Sequence, residues 1–67
     1  MDIHVNGEPR SVADGSTLGD LIDDLRLTGR IAVELNGEIV PRSEYPARVL
    51  RDRDSVEVVR AIGGGAL

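Results

Sequence analysis

The stretch Ile31-Ala32-Val33-Glu34-Leu35-Asn36-Gly37-Glu38-Ile39-Val40 decides how this chain folds. Ile31, Val33 and Leu35 alternate with Ala32 and Glu34, the period of a strand that turns one face to a core. Asn36-Gly37 is the dipeptide best suited to the two positive φ angles of a tight hairpin turn. Glu38-Ile39-Val40 then returns as a second strand until Pro41 ends it. The same device stands at the start of the chain, where Asp2-Ile3-His4-Val5 meets Asn6-Gly7. Its return strand is expected over Glu8 to Val12, with Pro9 confined to an edge or to the turn because it has no amide donor.

Ala13-Asp14-Gly15-Ser16 breaks the pattern and a helix follows over 17–25. Leu18, Leu21, Ile22 and Leu25 fall at i, i+3, i+4 and i+7, while Asp20, Asp23 and Asp24 take the other side. Thr17 and Asp20 have the spacing of a capping box, and Thr28-Gly29 is the expected stop. So short a helix does not persist alone in water, so its leucine stripe has to lie on a sheet. Arg42 to Ala47 has a weak pattern and reads as a loop with at most one helical turn, after which Arg48-Val49-Leu50 returns toward the body. Ser55 to Ala61 is the last strand, with Val56 and Val58 alternating with Glu57 and Val59. The sum is an α+β fold, a mixed sheet of four or five strands with one helix packed across one face. The expected division is a domain over 1–62 and a flexible glycine-rich tail over 63–67.

Composition narrows the function classes. At 67 residues the chain buries only about 60% of its unfolded surface, enough for one modest core and no second lobe to close over a substrate. That argues against a self-contained enzyme. A net charge of -4 makes nucleic acid a poor partner. All eight basic residues are arginine, so no side-chain amine is present for Schiff-base chemistry. Without cysteine there is no disulfide, thiolate zinc site or thiol nucleophile, and no apolar stretch suggests a signal peptide or membrane span. The expected location is cytoplasmic.

No side chain stands out as catalytic, and no metal site is expected. His4 is the only histidine and fits a strand surface. Asp23 and Asp24 fit a solvated helix face. Asp52, Asp54 and Glu57, interleaved with Arg51, Arg53 and Arg60, fit surface charge mixing or the guarding of an edge strand. Ser11, Ser16, Ser43 and Ser55 have no histidine base arranged around them. Gly63-Gly64-Gly65 lacks the lysine, the Ser/Thr and the following helix of a phosphate-binding loop. It reads either as a terminus or cloning remnant, or as side-chain-free backbone that lies extended in a partner's narrow active site.

A strand with an Asn-Gly turn, one leucine-striped helix, the block Ile31 to Ser43, the run Val56-Glu57-Val58-Val59 and a polyglycine end together resemble the ThiS family over nearly the whole chain. These are sulfur carriers of thiamine thiazole biosynthesis with the ubiquitin-like β-grasp fold. The resemblance implies a carrier that binds no cofactor and is acted on by others. A ThiF-like adenylyltransferase uses ATP to adenylate the C-terminal glycine carboxylate, which becomes a thiocarboxylate and delivers sulfur to a ThiG-like thiazole synthase. Gly65 then holds the reacting carbon, and Gly63, Gly64 and Gly65 thread the partner's active site.

Two departures qualify the match. Ala66 and Leu67 follow the diglycine, so a carboxylate at Gly65 requires their removal by a peptidase, unless they remain from cloning. Arg53 stands where the family commonly has glycine; if the position needs positive φ, the substitution costs on the order of 1 kcal/mol. For docking, the expected residues are Ala32, Val59 and Ile62 as an apolar patch, with Arg60 meeting acidic groups. The alternative for Val59 is the edge of the core, reached through a bulge. Other functions stay open: a carrier for the molybdenum cofactor, an amino acid or a specialised product, a covalent protein modifier, or a β-grasp module that only binds proteins.

Overall fold

The computed structural model describes residues 1–60. Strand β1 (Asp2–Val5) pairs antiparallel with β2 (Glu8–Ser11). The turn between them has φ of 51° at Asn6 and 83° at Gly7, positive at both central residues as the expected hairpin requires. β2 stops one residue short of the expectation: Val12 lies beyond the strand, its N–H donating to the Met1 carbonyl at 2.9 Å. Its own carbonyl accepts from the N-terminal ammonium at 2.8 Å.

Helix α1 (Leu18–Asp24) starts at Thr17 with both halves of the capping box formed. The Asp20 N–H donates to Thr17 Oγ1 at 3.1 Å, and the Thr17 N–H to Asp20 Oδ2 at 3.0 Å. Its end differs from the expected stop at Thr28-Gly29. Leu25 is the C-cap, and Arg26 adopts φ of 56°. The Arg26 N–H donates to the Asp23 carbonyl at 3.0 Å and the Leu27 N–H to the Ile22 carbonyl at 3.2 Å. This is the double hydrogen bond of a Schellman motif, here with arginine rather than glycine in the left-handed position. Its cause is apolar: Leu27 packs against the core that contains Ile22, and bringing it there takes the chain out of the helix early.

Strands β3 (Ile31–Leu35) and β4 (Glu38–Val40) form the second hairpin, with Asn36 and Gly37 at φ of 52° and 84°. Pro41 follows β4 and caps a 3-10 helix over Arg42–Ala47. This segment, expected as a loop, holds the chain's one aromatic residue in the core, Tyr45 being only 7% exposed. The two helices meet at Gly19, where a Cβ would stand 3.4 Å from backbone atoms of Tyr45 and Pro46, in van der Waals contact with them. Leu50, also buried, is drawn in by backbone bonds from Leu18 N–H to Arg48 O and from Leu50 N–H to Ser16 O, both 2.8 Å.

Strand β5 (Ser55–Arg60) enters the middle of the sheet, whose order is β2-β1-β5-β3-β4. It pairs parallel with β1 and antiparallel with β3, so the sheet is mixed and has five strands. The edge-strand explanation for Glu57 and Arg60 is therefore corrected, because β5 is central and pairing order leaves no trace in hydrophobic periodicity. Ile3, Val33 and Val56 from the three middle strands meet Leu18, Leu21 and Ile22 of α1 in one core.

Hairpin asparagines hold β5 in place. The Val58 N–H donates to Asn6 Oδ1 at 2.8 Å, continuing the ladder past the end of β1. The Ser55 N–H donates to Asn36 Oδ1 at 2.8 Å, while Asn36 Nδ2 donates to Asp54 Oδ1 at 3.0 Å. Asp54 Oδ2 accepts from the Arg51 N–H at 2.8 Å, closing the turn in which Arg53 has φ of 72°. Arg53 thus occupies the left-handed region that favours glycine.

Candidate functional site

The described residues reach Arg60, the last of β5. Ile62, the glycines Gly63, Gly64 and Gly65, and Ala66-Leu67 lie outside them, as do the end of the expected strand at Ala61 and the boundary at 62. Three of the expected docking residues, Ala32, Val59 and Arg60, are described.

Register places them. β3 and β5 pair without interruption from Ile31↔Arg60 through Ala32↔Val59 and Glu34↔Glu57 to Leu35↔Val56. An unbroken ladder rules out the bulge that would have put Val59 in the core, and Val59 is 62% exposed. Alternation turns Val33, Leu35, Val56 and Val58 toward α1, leaving Ala32, Glu34, Glu57 and Val59 on the other face. β4 adds Ile39, which pairs with Glu34 and is 72% exposed.

Arg60 belongs to the opposite side. It is level with Ile31 in register and borders an open groove of about 440 Å³ with Val58, Leu25, Leu27 and Arg10. Arg10 Nη2 donates to Asp24 Oδ2 at 2.7 Å. Arg60 and Val59 therefore present themselves to different sides of the sheet and do not form one patch.

Ile39 and Glu34 were not among the expected docking residues, yet both lie on the outer face beside Val59. The signal was present: a two-residue turn at Asn36-Gly37 pairs Leu35 with Glu38 and hence Glu34 with Ile39. Among the described residues the ion pairs are Arg10–Asp24, Arg48 with Glu38 and Glu44, Arg53–Asp52, and the N-terminus with Asp14. None involves Glu34, Glu57 or Arg60.

His4 is exposed on β1. Among the described residues no group of three or more His, Cys, Asp or Glu side chains is arranged to hold a metal ion. No helix among them is long and apolar enough to cross a membrane. What the described surface offers is an apolar sheet face with two carboxylates, next to the strand that leads into the glycine run.

The chain is similar to known proteins along nearly its whole length. Residues 3–65 match the model of the ThiS family. The chain is 43% identical over 65 residues to the sulfur carrier protein ThiS of Thermus thermophilus, covering 94% of this chain and 98% of that one. It is 46% identical over 66 residues to a thiazole synthase of Magnetococcus marinus, covering 97% of this chain and 20% of that protein. The chain thus spans about a fifth of the length of that relative. The crystal structure of the thiamine biosynthesis protein ThiS from Geobacter metallireducens superposes with a TM-score of 0.83 at 35% identity, covering 97% of this chain and 100% of that one. The five-stranded mixed sheet and single α-helix are thus those of a ubiquitin-like β-grasp protein. With the family model matching residues 3–65 and the fold shared over nearly its whole length, the chain belongs to the ThiS family.

Proposed function

We propose that this chain is a sulfur carrier for thiazole formation in thiamine biosynthesis, acting through the carboxylate of Gly65 rather than through any side chain. The observation that carries this reading is the family match, which runs along the β-grasp domain and through Gly65 itself. Since Ala66 follows Gly65, a peptidase first hydrolyses the bond between them. A free carboxylate is a poor electrophile. On a ThiF-like adenylyltransferase its oxygen attacks the α-phosphorus of ATP and pyrophosphate leaves, making the carbonyl carbon an acyl-adenylate with a good leaving group. A sulfur nucleophile at the oxidation level of hydrosulfide then displaces AMP, leaving the thiocarboxylate that a ThiG-like thiazole synthase consumes.

The chain's part is to bring an unhindered acyl carbon to each partner. Glycines at 63, 64 and 65 place no side chain around that carbon, and the domain supplies the surface that orients it. It is a co-substrate of these enzymes, and its location is the cytoplasm.

Intact mass of the untagged protein from its native cells tests the reading. The expected species ends at Gly65 with one oxygen replaced by sulfur, and it reacts with a thiocarboxylate-directed alkylating reagent. A chain that persists through Leu67 and never reacts while the cells make thiamine would refute the carrier function. In vitro, the chain shortened to Gly65 is expected to support ATP–pyrophosphate exchange by the adenylyltransferase, whereas a pure binding module would be indifferent to that truncation.

A further inference from the structure

Both asparagines of the chain, Asn6 and Asn36, are followed by glycine in an exposed turn. The combination is reactive. Glycine carries no side chain to obstruct its backbone nitrogen, which can close on the asparagine Cγ as a five-membered succinimide. The two sites are nearly alike in sequence, Val5-Asn6-Gly7-Glu8 against Leu35-Asn36-Gly37-Glu38. Their backbones match as well, with φ of 51° and 83° against 52° and 84°. What separates them is how the side-chain amide is held. Asn36 is tied at both ends: its Oδ1 accepts from the Ser55 N–H at 2.8 Å, and its Nδ2 donates to Asp54 Oδ1 at 3.0 Å. Asp54 is fixed in turn by the Arg51 N–H at 2.8 Å. Asn6 is tied at one end, where Oδ1 accepts from the Val58 N–H at 2.8 Å. Among the described residues its Nδ2 donates to no partner.

We infer that Asn6 is a site of spontaneous deamidation in the folded protein and that Asp54 protects Asn36 from the same reaction. The Gly7 nitrogen attacks Cγ of Asn6, the Cγ–Nδ2 bond breaks, and Nδ2 leaves as ammonia with the proton that the Gly7 nitrogen gives up. Water then opens the succinimide. Attack at the Cγ carbonyl yields aspartate; attack at the main-chain carbonyl yields isoaspartate, in which the chain runs through the former side chain. At Asn36 the amide has to turn toward Gly37 and release a nitrogen that a carboxylate holds, and bonds to charged acceptors are stronger than neutral ones. The products differ too. Aspartate at position 6 keeps an acceptor for the Val58 N–H, whereas isoaspartate adds a methylene to a two-residue turn and carries that acceptor away from β5. Aspartate at position 36 sets a carboxylate against Asp54 where a donor stood.

The test is incubation of the full chain in mildly alkaline buffer, native and in urea, followed by cleavage after arginine and mass spectrometry. Residues 1–10 and 31–42 are then separate peptides with one asparagine each. In the native chain Asn6 is expected to exchange its amide for an acid at least about tenfold faster than Asn36. In urea the two rates are expected to converge, since the local sequences are so similar. Asp54→Ala is expected to raise the native rate at Asn36 toward that at Asn6, with circular dichroism at the same temperature reporting the fold. Urea midpoints test the same contact without relying on that variant: Asn36→Asp is expected to lower the midpoint and Asn6→Asp to leave it unchanged. Hydrogen exchange at the Val58 amide is expected to quicken in the isoaspartate fraction and not in Asn6→Asp. Equal native rates overturn the inference, as does a faster Asn36 or an Asn6 that reacts in urea and stays intact in the native chain. Equal midpoints for the two aspartate variants, or an Asn36 that stays slow in folded Asp54→Ala, defeat the protective role of Asp54.

Discussion

Asn6 and Asn36 each do two things, and the second explains why asparagine rather than glycine stands there. Both adopt positive φ in their turns, and both use the side-chain oxygen to accept an N–H of β5. Substitution separates the two contributions. Asn36→Gly keeps the backbone comfortable and loses the hydrogen bonds, so a loss of about 1 kcal/mol is expected. Asn36→Ala adds left-handed strain and is expected to lose about 2–3 kcal/mol. Equal urea midpoints for the two variants would contradict this account. Arg53 shows the opposite case, with positive φ and no side-chain role in the turn beyond a 3.9 Å approach to Asp52 on the surface. Arg53→Gly is expected to raise stability by up to about 1 kcal/mol, read as a higher thermal midpoint.

At the scale of elements, local chemistry explains what was readable and long-range packing explains what was not. The two hairpins were legible because Asn-Gly acts within two residues, and the helix start because Thr17 and Asp20 cap each other three positions apart. Thr17→Ala is accordingly expected to cost about 1 kcal/mol, measured by chemical denaturation. The helix runs from cap to cap over the expected 17–25, but its stop was misassigned to Thr28-Gly29: Leu27 is claimed by the core, an event that neither residue announces. Tyr45 was hidden in the same way: its six-residue 3-10 segment has no amphipathic period long enough to show a buried face. Ala32 and Val59 share the outer sheet face, which settles for Val59 the choice between surface and core edge that the sequence left open. Arg60 was grouped with them, although its neighbour in sequence necessarily points to the other side of the sheet.

For the whole molecule, 67 residues imply a stability of roughly 3–10 kcal/mol. Truncating the one buried aromatic, Tyr45→Ala, removes about 3–5 kcal/mol by analogy with other large aromatic deletions. That variant is expected to be largely unfolded at 37 °C, seen as loss of dispersed amide signals in NMR. A domain so close to its limit has little reserve for self-repulsion on its surface, so the cross-strand neighbours Glu34 and Glu57 count for more here than they would in a larger protein. The central place of β5 has a mechanical meaning as well. A pull applied beyond Arg60 runs along the strand axis, while the backbone bonds to β1 and β3 lie across it. Such a load shears many bonds together instead of unzipping them singly. Under the proposed carrier function, tension on the segment beyond Arg60 is therefore borne across the width of the sheet, bond beside bond, rather than by any one of them.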